Sequence, residues 1–195
     1  MKTYVSLCLL LMLALGVSAL VQAPAVAPGG LAGWLPAGAL LVLQARDFSS
    51  LVRDWNGSAE KKLWLAGDNF QVFSRSGLYL RLENAQKEFA GAAGFLPDMS
   101  LVNSVAGGES ALALYDIGNM EFLYVTRLGT AKAVESALWK MRADYQPRNA
   151  AGLPYFVRRE PASRRVVAFA TTDEYLLLAT REELISGALT LMARR

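Results

Sequence analysis

Four arginines crowd one short stretch, Arg158 and Arg159 before Pro161 and Arg164 and Arg165 after it. A guanidinium is planar, permanently charged and donates through a rigid fork, so four on one turn form a candidate surface for anionic lipid headgroups, phosphate or an acidic partner. The competing assignment is a solvated turn whose charges discourage pairing between sheet edges. Two carboxylate pairs lie downstream, Asp173-Glu174 and Glu182-Glu183. Two carboxyl groups flanking a glycosidic bond can hydrolyse it, but these neighbours fit a turn and the first turn of a helix better.

Absent residue types narrow the chemistry further. The 195 residues include no histidine, and the single cysteine is Cys8. There is thus no Ser-His or Cys-His pair, no His-ligated zinc and no imidazole for proton transfer near neutrality. Ser50, Ser76 and Ser104 lie in no Gly-x-Ser-x-Gly elbow, and Gly91-Ala-Ala-Gly94 and Gly107-Gly108 read as chain breaks rather than phosphate cradles. Asp47, Asp54, Asp68 and Asp98 are scattered without metal-ligand spacing. No metal or cofactor is implied. Trp55, Trp64, Phe73, Phe89 and Trp139 fall on amphipathic segments, where core packing is the simpler role and a groove for an apolar ligand the alternative.

The formal charge is +3, and Lys2 is the only charged residue before Arg46. Without Lys2 the balance is 19 basic against 17 acidic residues, which argues against nucleic-acid binding. Met1-Lys2-Thr3 precedes an uncharged apolar run to Val21, with small-residue cleavage patterns at Val17-Ser-Ala19 and Ala23-Pro-Ala25. Residues 1–23 therefore read as the signal peptide of an exported protein. Roughly 20 apolar residues also suffice to cross a bilayer, so a retained signal anchor is the alternative. Cleavage would remove Cys8 and with it any disulfide. Residues 24–34, with Pro24, Pro28, Gly29, Gly30 and Gly33, read as a flexible linker. A single domain is expected over 35–195, with an end that fits a complete or a clipped chain.

The elements that must position these groups follow from periodicity. Residues 39–45 form a short apolar run, predicted as a first strand buried on both faces. Asp47, Ser58 and Asp98 are predicted N-caps, the first for a helix with Phe48, Leu51, Val52 and Trp55 on one face. One helix is expected over 70–89, with Gly77 its weak point. Residues 110–115 and 122–127 flank a hairpin loop at 116–120. Thr130 is predicted to cap one long helix carrying Val134, Leu138, Met141 and Tyr145. Runs at 154–158, 166–170 and 175–179 read as three successive strands, closed by Thr180-Arg-Glu-Glu183 as a capping box for a final helix. The sum is an α+β fold, a mostly antiparallel sheet of about six strands packed against several helices.

The opening Leu35-Pro-Ala-Gly-Ala-Leu-Leu-Val-Leu43, the step Ala106-Gly-Gly-Glu-Ser-Ala-Leu-Ala-Leu114 and the strand Tyr175-Leu-Leu-Leu-Ala-Thr180 before a final helix resemble a family of exported bacterial proteins filed as domain of unknown function 3352. The resemblance spans residues 35–189. It implies a bacterial envelope location, in the periplasm or on the outer face of the cytoplasmic membrane, and carries no functional residue with it. The expected function is a non-enzymatic binding or assembly module whose partner is an envelope protein or a membrane surface. Carriage of an apolar or lipid ligand is the alternative, and a hydrolase assembled only in three dimensions is the third reading.

Overall fold

Local capping sets most of the helix starts. The computed structural model describes residues 30–161 and 165–194; the expected signal segment and Arg164 lie outside them. A 3-10 turn at Leu31–Trp34 leads to β1 (Leu41–Ala45), then α1 (Phe48–Gly57), α2 (Ala59–Ala66), α3 (Asp68–Ser74), α4 (Gly77–Ala93) and α5 (Met99–Val105). The hairpin β2 (Ser110–Asp116) and β3 (Glu121–Arg127) follows, then α6 (Thr130–Ala133), α7 (Ala137–Lys140), β4 (Gln146–Ala150), β5 (Leu153–Arg159), β6 (Val166–Thr171), β7 (Tyr175–Ala179) and α8 (Glu182–Ala193). Asp47, Ser58 and Asp98 accept from Ser50, Lys61 and Leu101 N–H at 3.0 Å each, the donors a helix start leaves unpaired.

The strands form one antiparallel sheet in the order β1-β2-β3-β7-β6-β5-β4. It is covered on both faces. On one, Leu184, Ile185, Ala188 and Leu189 of α8 join Leu31 against Leu123, Val125, Ala168 and Leu177. On the other, Ala92, Ala93, Leu101, Leu138 and Tyr145 meet Tyr124, Phe169, Leu176 and Leu178. Successive residues of β6 and β7 thus serve opposite cores, which explains their continuous apolar runs. Phe169 stacks on Phe156 and meets Tyr145 edge-on, both at 5.2 Å. Burying such a side chain contributes about 1.5–3 kcal/mol.

The helical tract is less deeply embedded. Val52 of α1 packs on Val102 and Ala106, whereas α2 and α3 bury no residue. Trp64, Phe70 and Phe73 pack on one another, and Phe73 also on Tyr79, while Leu63 and Val72 remain 72% and 73% exposed. No helix among the described residues is long and apolar enough to cross a membrane.

Several expectations are corrected. β1 is an edge strand, pairing with β2 alone among the described residues, and it is not buried on both faces, since Leu41 and Val42, on opposite faces, are both exposed. Among the described residues the sheet has seven strands rather than about six; β4 was hidden by Pro147, which an edge tolerates. The helix expected over 70–89 is two, since Ser76 accepts from Tyr79 N–H at 3.2 Å and starts a new one at Gly77. The helix expected after Thr130 is broken as well. Buried Ser136 donates to Ala133 O at 2.6 Å and accepts from Trp139 N–H at 3.3 Å, ending α6 and capping α7. Thr130 lies inside the helix start and donates instead to Asp173 O at 3.2 Å. The capping box is likewise absent: Thr180 Oγ1 accepts from Phe122 N–H at 2.8 Å, and α8 begins after Arg181 with no side-chain cap. Packing begins ahead of Leu35, since Leu31 is already buried in the core.

Candidate functional site

The described arginines of the cluster are drawn to separate partners within the fold. Arg158 Nη1 donates to Gly91 O at 2.6 Å and Ala92 O at 2.8 Å. Tyr145 OH donates to Ala93 O at 2.9 Å, and Gly94 N–H to Ala90 O at 2.9 Å. All four carbonyls that end α4 are therefore satisfied, and the guanidinium sits at the negative end of the helix dipole. Gly94 adopts φ +83°, and a Cβ there would stand 3.0 Å from Arg158 Nη1, so both conformation and space call for glycine. Burial pushes the Tyr145 phenol well above its usual range, which keeps it a donor.

Arg159 and Arg165 do share a site. A depression of about 140 Å³ is lined by Glu121, Arg159, Arg165, Val166, Thr180, Arg181, Glu182 and Glu183. Arg159 pairs with Glu182 at 3.0 Å, and Tyr155 OH donates to the other Glu182 oxygen at 3.1 Å. Arg181 pairs with Glu121 at 2.9 Å and Glu183 at 3.4 Å. Arg165 pairs with Glu88 and donates to Asn119 O at 2.8 Å. Three guanidinium groups and three carboxylates line the depression; Arg159 and Arg181 pair with those carboxylates and Arg165 with Glu88 outside it, so the described charges are balanced and already paired rather than a cationic cradle. Glu182 and Glu183 diverge to different arginines. Its own backbone N–H and then Arg181 hold the Glu183 carboxyl below the usual range, the wrong direction for a general acid. Among the described residues there is no cluster of three or more His, Cys, Asp or Glu able to hold a metal.

A second, shallow depression of about 360 Å³ runs between α8 and the Pro36 loop, lined by Glu183, Ser186, Gly187, Thr190, Leu191 and Arg194. It lies away from the aromatic helices where an apolar-ligand groove was expected. Of those aromatics Trp139 meets the sheet directly, on Phe156 at 6.1 Å, and Phe89 joins the core on the same face, whereas Trp64 and Phe73 pack on each other within the helical tract.

The feature that sequence reasoning missed is the β1 edge. Leu40, Leu41 and Val42 are 65%, 45% and 42% exposed, and Leu41-Val-Leu-Gln-Ala45 carries neither charge nor proline. An edge strand presents a row of unpaired backbone donors and acceptors, and a flat apolar edge is a template for another strand. The root of β1 is firmly placed. Phe48 and Ser49 N–H donate to Gly108 O at 3.0 Å and Gly107 O at 2.8 Å, and Tyr115 OH donates to Pro36 O at 2.7 Å. Beside it, Ser110, Thr126 and Tyr124 form a buried hydroxyl network that locks the β2–β3 register, with Ser110 and Thr126 oxygens 2.6 Å apart and Tyr124 OH donating to Val105 O at 3.0 Å. Burial pushes the Tyr124 phenol up to about 12. The apolar run of β1 was visible in the sequence; its place at the end of the sheet was not. No family model matches this chain, and no curated protein and no solved structure matches it.

Proposed function

We propose that the chain is a non-enzymatic binding or assembly module of a bacterial envelope, docking through the outer edge of β1. One observation carries this reading: among the described residues the edge is unpaired, uncharged and largely apolar, while the described charged groups around the polar depression are already held in ion pairs. Strand addition draws affinity from main-chain hydrogen bonds and specificity from alternate side chains. Here Leu41 and Leu43 point to one face and Val42 to the other. The export reading rests on the basic start and uncharged apolar run of residues 1–23.

The test is co-purification of the tagged full chain from envelope fractions, comparing the wild type with Val42→Lys and with Gln146→Lys on the opposite edge. A stoichiometric protein, whether a different chain or an untagged copy, should be retained by Gln146→Lys and lost by Val42→Lys. Equal recovery with both variants would overturn the proposal, and recovery of lipid without protein would favour the carrier reading.

A further inference from the structure

The occupant of the β1 edge follows from what that edge can pair with. This inference rests on the docking role just proposed and names its partner. The two ends of the sheet are β1 and β4, so a second copy could add either strand to β1. Adding β4 would place Pro147, which has no N–H, and the charged Arg148 in the new ladder. Adding β1 brings together only the neutral residues Leu41-Val-Leu-Gln-Ala45.

Antiparallel self-pairing about a twofold axis through Leu43 sets Leu43 opposite Leu43 of the second copy, Val42 opposite Gln44 and Leu41 opposite Ala45. The flanking Arg46 is exposed and faces Leu40 of the second copy, not a like charge. The two Arg46 residues stand six positions apart along the paired strands, or roughly 20 Å at about 3.4 Å per residue, beyond the ~8–10 Å over which salt leaves exposed charges interacting. The pairing is isologous, so it closes as a dimer and leaves the guarded β4 edges outermost. We infer that the partner of β1 is the β1 strand of a second copy of this chain, extending the seven-stranded sheet into one continuous sheet across a twofold axis.

Directly opposed residues of an antiparallel pair lie about 4.5–5.5 Å apart at Cα, within the range a disulfide spans. The test is therefore oxidation of the full chain carrying Cys8→Ser and Leu43→Cys, with Leu63→Cys in the exposed helical arm as the comparison, read on a non-reducing gel. The expected result is a covalent dimer at position 43 and monomer at position 63. Adding Val42→Lys to the Leu43→Cys chain should lower the dimer yield by about tenfold, the effect of ~1.4 kcal/mol of lost pairing. Monomer at position 43, or dimer insensitive to Val42→Lys, overturns the inference. If Val42→Lys abolishes capture of a different envelope protein while position 43 stays monomeric, the docking role stands and the second copy does not. If Val42→Lys alters neither capture nor cross-linking, both fall.

Discussion

Strand β4 ends the sheet with Gln146-Pro-Arg-Asn-Ala150, whereas β1 ends it with Leu41-Val-Leu-Gln-Ala45. Among the described residues both pair on one side only. Proline and charge are the usual devices that stop an edge from recruiting further strands, and β4 carries both while β1 carries neither. The helix layers deepen the contrast. α8 lies across β3, β7, β6, β5 and β4, so the apolar residues of the inner strands are covered on that face. β1 uses a similar apolar vocabulary to β6 yet leaves Leu41 and Val42 nearly half exposed. An apolar strand at the centre of a sheet is core; the same kind of strand at an unguarded edge is a surface for pairing.

The largest expected effect separates centre from edge. Phe169→Ala, at a fully buried site in β6, should cost about 3–5 kcal/mol in urea unfolding, whereas Val42→Ala in β1 should cost less than about 1 kcal/mol. Equal costs would mean that β1 is buried against something in the measured state. Next comes the anchoring of the helical layer. Arg158→Ala leaves the Gly91 and Ala92 carbonyls without their donor and should cost about 2 kcal/mol by the same measurement. A neutral outcome would return Arg158 to the pool available for anion binding. Thr180→Val removes the hydroxyl that accepts from Phe122 N–H and should cost about 1 kcal/mol.

Reversing the guard on β4 sharpens the comparison directly. The double variant Pro147→Thr, Arg148→Val should change stability by only about 0.5 kcal/mol but make β4 a second pairing edge, seen as growth beyond a dimer in light scattering. The smallest effect concerns the root of β1. Hydrogen bonds from Ser50, first from its side chain, lower the Asp47 carboxyl from 3.8 to about 2. A depressed carboxylate stabilises the folded state fully above its unfolded value and loses that contribution as pH falls from 3.8 towards about 2. Asp47→Asn should therefore lower the unfolding midpoint near neutrality, where the ionised carboxylate contributes fully, and flatten its pH dependence between 3.8 and about 2.

Features set by a few neighbouring residues were legible in the sequence. Asp47, Ser58 and Asp98 cap their helices because a short polar side chain reaches an N–H three residues ahead. The hairpin at 116–120 and the strands of β5 to β7 follow from local alternation and turn chemistry. Features set by distant pairing were not. Whether Leu41-Val-Leu was central or at an edge depended on its sole pairing with β2. The destination of Arg158 depended on where α4 ended, and that of Thr180 on the start of β3. Thr180-Arg-Glu-Glu183 is a sound capping pattern that lost its hydroxyl to Phe122. The break at Ser136 had a local signal, since serine competes for backbone groups within a helix, but the long apolar stripe concealed it.

Amide hydrogen exchange on the full chain at low and high protein concentration tests the contrast between the two edges most directly. The account predicts that raising the concentration slows exchange within 41–45 and leaves 146–150 unchanged. Protection appearing at 146–150 instead, or no change at 41–45 at any concentration, would contradict it.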